Sequence, residues 1–132
     1  MNLLVDTSVW SAALRRDAAT GTPEIRRLRS ALLGDAAVFT TGLILQELLQ
    51  GFSTPKSRDH ILRTFSALPL IIPERSDHVD AAVLRIRLRQ KGVQAGTIDV
   101  LLAQLCLRHG LSILTLDADF RHMARFCPLS LA

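Results

Sequence analysis

Short aliphatic runs alternate with longer helical patterns along this chain, and that alternation is the sequence form of a parallel sheet flanked by helices. Asn2–Val5 is too short for a helix and almost wholly aliphatic, so it reads as a buried first strand. Ala37–Thr40, Leu70–Ile72 and Ser112–Leu116 read as further strands. Helices are expected between them: Ser8–Arg15, Pro23 to about Leu33, a stretch ending near Gly51, His60–Leu68, Asp77 to about Lys91, and Thr97 to about His109. Thr22-Pro23-Glu24 combines a capping hydroxyl, a proline at the first helical position and an acid in the first turn. Thr97 is expected to cap the last helix, and Gly110 to close it. Ser53–Ser57 reads as a polar connector, too short to separate domains, so residues 1–132 are expected to form one domain.

Carboxylates fall at telling places in this pattern. Asp6 ends the first aliphatic run, and Asp117 ends the last, with Asp119 two residues on. Glu47 lies within Leu43–Leu49, where flanking leucines suggest a largely buried segment, and Asp99 opens a helix. Open α/β sheets bind ligands beyond the carboxyl ends of their strands. Acids after two strands, joined by acids on two helices, would therefore meet in one crevice. With no lysine among them, the chemistry is that of a hard divalent cation.

Each acid also has a plainer reading. Asp6 could cap a helix, Asp99 could answer a helix dipole, Glu47 could be solvated, and Asp117 and Asp119 could form a turn. These readings are independent of one another, whereas a metal site explains all the positions jointly. Two carboxylates about 4 Å apart repel by roughly 4 kcal/mol at an effective dielectric near 20, so a cluster needs a cation or protons. A divalent ion neutralises it and takes up phosphate oxygens as well.

The rest of the composition narrows the class. The net charge is +4, and Lys56 and Lys91 are the only lysines, so the basic charge is carried mainly by arginine. Arginine suits bidentate contact with phosphate. Arg15-Arg16, Arg26-Arg27 and Arg29 cluster early; Arg85 and Arg89 share one helical face, Arg87 and Lys91 another. Aromatic residues are too sparse for a base-stacking platform, and Trp10 reads as core or interface. Cys106 and Cys127 lack a CxxC spacing, which suggests a reducing compartment. The start lacks the basic and long apolar stretches of a signal peptide, and no stretch is long enough to span a bilayer, so the expected location is the cytoplasm. The four histidines share no motif, which disfavours a metal-free, histidine-dependent nuclease.

Val5-Asp6-Thr7-Ser8-Val9-Trp10, Gln46-Glu47-Leu48-Leu49-Gln50-Gly51, Thr97-Ile98-Asp99-Val100-Leu101-Leu102-Ala103 and Thr115-Leu116-Asp117-Ala118-Asp119-Phe120 resemble the signature segments of PIN domains. More narrowly, they resemble VapC-type ribonuclease toxins of bacterial VapBC toxin–antitoxin modules. The resemblance implies a three-layer α/β/α sandwich with a central parallel sheet. It also implies a Mg²⁺- or Mn²⁺-dependent endoribonuclease restrained by a cognate VapB-like antitoxin. Carried over by motif, Asp6, Glu47, Asp99 and Asp117 are the metal-binding acids, Asp119 an accessory, and Ser8 and Thr115 hydrogen-bonding helpers. An ion is expected between Asp6 and Asp99, with one metal or two left open.

Alternatives are a non-toxin PIN-like domain that processes or binds RNA, and a metal-dependent phosphatase. A haloacid-dehalogenase-type phosphatase wants Asp-x-Asp after the first strand, where this chain has Asp6-Thr7-Ser8. A receiver domain wants a late strand-end lysine, where this chain has Thr115-Leu116-Asp117. Apolar residues around Trp10–Leu14 and Ile25–Leu33 exceed one buried face, which suggests a homodimer and a grip on an antitoxin segment near the acidic crevice.

Overall fold

A computed structural model describes residues 1–15 and 21–132; Arg16 of the early basic cluster lies outside the described residues. Five strands form one parallel sheet: β1 (Asn2–Val5), β2 (Ala37–Thr41), β3 (Leu70–Ile71), β4 (Ser112–Leu114) and β5 (Ser130–Leu131), in the order β3-β2-β1-β4-β5. The helices are α1 (Thr7–Leu14), α2 (Pro23–Ser30), α3 (Gly42–Gly51), α4 (Pro55–Ser66), α5 (Arg75–Gln90), α6 (Thr97–His109) and α7 (Ala118–Ala124). A π-helical turn, Ala31–Asp35, continues α2 and ends where Gly34 takes a φ of 117°. Parallel crossovers are right-handed, so the outward walk β1-β2-β3 puts α1–α4 on one face of the sheet. The return to β4 and β5 puts α5–α7 on the other. The result is a three-layer α/β/α sandwich.

Burial explains the sequence pattern. Leu3, Leu4 and Val5 are fully buried, because β1 is central and covered on both faces. Its register pairs Leu4 with Phe39 on one side and Val5 with Leu114 on the other. Under the α1–α4 layer, Trp10 and Phe65 pack with ring centroids 4.8 Å apart at a tilt of 48°, worth about 0.5–1.5 kcal/mol beyond their buried area. Trp10 is therefore core. Of the apolar residues expected to form an interface nearby, Ile25 and Leu28 are buried, while Leu33 is 90 % exposed.

Several boundaries differ from the sequence reading. The connector before His60 is helix from Pro55 on: Thr54 caps α4 by accepting from Ser57 N, with Pro55 in the first turn. That is the same Thr–Pro start as Thr22-Pro23 in α2. Gly96, not Thr97, is the N-cap residue of α6, while Gly110 closes it with a φ of 65° as expected. β4 stops at Leu114, two residues short, because Thr115 turns its hydroxyl toward Asp6. α7 and β5 are additional to the elements the sequence pattern predicts. Among the described residues, no helix is long and apolar enough to cross a membrane.

The direction of strand order reverses between β1 and β4, and such a switch point opens a crevice at the carboxyl ends of the strands. Asp6 follows β1, and Thr115–Asp117 follow β4.

Candidate metal centre

Asp6 occupies the N-cap position of α1 but makes no side-chain cap. The capping reading therefore fails for it. Its Oδ2 instead accepts from Ser8 Oγ at 2.8 Å and from Thr115 Oγ1 at 2.9 Å. The backbone holds those hydroxyls in turn: Leu116 N donates to Ser8 Oγ at 3.0 Å, and Asp117 N to Thr115 Oγ1 at 2.9 Å. Each hydroxyl has a single proton, and both protons go to Asp6. The 3.4 Å approach of Ser8 Oγ to Thr115 Oγ1 is then packing between two donors. The donor role expected of Ser8 and Thr115 has a definite target, the buried carboxylate of Asp6.

Asp117 has two roles. It is the N-cap residue of α7, its Oδ1 accepting from Asp119 N at 2.9 Å. Its carboxylate also stands with those of Asp99 and Asp119: one oxygen from each lies within 4.8 Å of the others, all half-buried. The donor set is all oxygen, without thiol or imidazole, which fits a hard divalent cation. Asp119 thus sits inside the tightest group, a place its accessory role does not suggest.

Asp99 lies in the first turn of α6, where the helix dipole alone would favour its charged form. Desolvation outweighs that effect, and the charges of Asp6, Asp117, Asp119 and Glu47 add to it, pushing the carboxyl up to about 6. All five predicted acids therefore share one field centred on Asp99. Glu47 is exposed rather than buried, although Leu48 beside it is fully buried. Thr7 Oγ1 donates to Glu47 Oε1 at 3.3 Å, a contact across 40 positions that no local pattern announces. The histidines take no part in this group.

The raised Asp99 carboxyl has a consequence for stability. Below its ordinary value of 3.8, Asp99 is protonated in both the folded and unfolded chain. Between there and about 6 only the folded chain keeps the proton, so stability falls as pH rises through this window and stays lower above it. In EDTA, the melting temperature of Asp99→Asn minus that of the parent is expected to grow from acid to neutral pH. A difference that stays flat from pH 4 to 7 would show that Asp99 is not held in the neighbours' field.

Residues 3–126 match the PIN domain family. The VapC ribonuclease Mb1587 of Mycobacterium bovis is 32% identical over 98% of this chain and 97% of its own length. Among solved structures, VapBC-1 of nontypeable Haemophilus influenzae superposes with a TM-score of 0.76 at 17% identity, covering 100% of this chain and 97% of that one. VapBC2 of Rickettsia felis, bound to a promoter DNA fragment, gives 0.73 at 20% identity, covering 100% and 98%.

Proposed function

Since the chain belongs to the PIN domain family, we propose that it is a metal-dependent endoribonuclease, the toxin of a type II toxin–antitoxin pair. Residues 1–132 act as one domain, in the cytoplasm, on RNA phosphodiester bonds. The observation that carries this reading is the convergence of four other carboxylates on Asp99 at the switch point of the sheet. Asp99, Asp117 and Asp119 would hold Mg²⁺ or Mn²⁺, with Asp6 and Glu47 beside them. A divalent ion there supplies positive charge for the phosphoryl oxygens and lowers the pKa of a water.

The chain's own part is preorganisation. Ser8 and Thr115 hold Asp6 in place, the α7 cap orients Asp117, and Thr7 steadies Glu47. Half-burial of Asp99 limits how far water disperses the field around it. The free thiols Cys106 and Cys127 suit a reducing compartment. The neighbours named as VapBC assemblies support an antitoxin partner for this chain too, and the exposed Leu33 beside the buried Ile25 and Leu28 suits the expected homodimer.

The test uses the chain purified away from its partner. It is expected to cleave structured RNA with Mg²⁺ or Mn²⁺ and to stop in EDTA. Equal cleavage by repurified protein in excess EDTA would contradict the metal reading. Light scattering on the same sample should give a dimer. A monomer at micromolar concentration, with no small protein co-purifying from the native operon, would contradict the proposed partners.

A further inference from the structure

We infer that Arg85 and Arg89 of α5 form a phosphate-binding wall that guides the RNA strand to the acid site. This rests on the ribonuclease reading above. Five carboxylates repel a polyanion, so the strand must be held by cations close by. A cleft of about 270 Å³ between α5 and α6 is lined by Arg85, Arg89, His78 and Thr97 over an apolar floor that includes Leu101. Thr97 belongs to the same first helical turn as Asp99.

Arg85 is fixed in that cleft. Its Nε donates to Ala95 O at 2.9 Å, tying the guanidinium to the loop that leads into α6. Among the described residues its terminal amino groups make no further bond, so they remain free for phosphate. Arg89, one turn on along the same face, is exposed. Neither wall arginine takes part in an ion pair among the described residues, so neither is neutralised by a carboxylate. A second trough, lined by Gln46, Leu70 and Ile72, shares His78 and Leu101 with the first. The two clefts therefore meet beside α6, and the second reaches α3 at Gln46, the residue before Glu47. Arg87 lines a different cleft, beside Cys127 and Pro128.

An acidic peptide would also meet arginines here, since the guanidinium fork suits carboxylate and phosphate alike; the need to hold a polyanion beside the acids favours a nucleic-acid backbone. The test measures a fluorescein-labelled single-stranded RNA of mixed sequence binding to Asp99→Asn protein, titrated with NaCl. Adding Arg89→Ala is expected to weaken binding several-fold and to lower the slope of log affinity against log salt by about 0.7, one phosphate contact on a single strand. Adding Arg87→Ala should leave that slope unchanged. With Asp99 intact, Arg89→Ala should raise KM and leave kcat and the melting temperature as they are. An unchanged slope and KM in Arg89→Ala, or an equal loss in Arg87→Ala, would overturn the wall. Loss of a co-purifying antitoxin with RNA binding intact would overturn it in favour of a peptide site. A parent chain that never cleaves RNA would instead overturn the ribonuclease reading itself.

Discussion

Asp99→Asn is expected to abolish RNA cleavage while the protein folds as before. The substitution keeps the side-chain shape and hydrogen-bonding capacity but removes one charge from the group of Asp99, Asp117 and Asp119. The loss should exceed the ~10–100-fold typical of mutating a partner that merely orients a metal ligand. In EDTA the variant should melt at the parent's temperature or above, because desolvation and four neighbouring acids disfavour the Asp99 charge at neutral pH. Mn²⁺ should raise the parent's melting temperature by mass action, by about 2.7 kcal/mol of stability at a hundredfold excess over Kd. It should raise the variant's much less. If Asp99 serves only the helix dipole, the pattern reverses: about 0.3–1 kcal/mol of stability is lost, cleavage continues and the metal response is unchanged. Melts with and without Mn²⁺, beside one cleavage assay, separate the two.

The second large effect lies away from the site. Asp77 is buried at the start of α5, its carboxylate accepting from Glu74 N at 2.8 Å and from Arg108 of α6 at 2.6 and 2.8 Å. Burial pushes the Asp77 carboxyl up, yet the Glu74 N–H and the Arg108 guanidinium outweigh it and hold it below its ordinary value. Arg108→Ala leaves that carboxylate buried without its cation. Breaking buried pairs costs about 3–5 kcal/mol; the Arg108 side chain is 32% exposed, so the lower end, about 3 kcal/mol, is expected. For a domain of this size that is a drop of roughly 10 °C in melting temperature. Asp77 contributes stability above its unfolded pKa, lost as pH falls through the lower folded value, so the gap between parent and variant should narrow in acid. Denaturant melts of both proteins at neutral pH check the effect. A loss below about 1 kcal/mol, the scale of an exposed pair, would contradict it.

That pair also shows what the sequence could not carry. Asp77 and Arg108 are 31 positions apart on two helices, and nothing local links them. The central strands were legible because fully buried parallel strands read as unbroken aliphatic runs. β5 was not: Ser130–Leu131 is two residues long, exposed, and held at the edge partly by Ser112 Oγ against Ser130 Oγ at 2.7 Å. α7 is not legible either, because Asp117-Ala118-Asp119 satisfies a turn and a helix start equally well. The Thr54-Pro55 start of α4 carries the same capping signal as Thr22-Pro23 of α2.

The site divides in the same way. The positions of the acids were visible, since strand ends and helix starts in an α/β chain have a known geometry. Their division of labour was not. Asp6 had the surroundings of a cap but takes two hydroxyl donors instead. Asp117 is a cap and a member of the acid trio at once. Only packing across the switch point decides between such uses.

The central claim is that a divalent cation sits among these carboxylates and is needed for cleavage. Anomalous scattering from crystals soaked in Mn²⁺, at a concentration that supports cleavage in solution, tests it most directly. The predicted result is a peak within ligand distance of Asp99 and of Asp117 or Asp119, absent from Asp99→Asn crystals soaked alongside. A parent that cleaves RNA at that concentration yet shows no peak among these acids would contradict it.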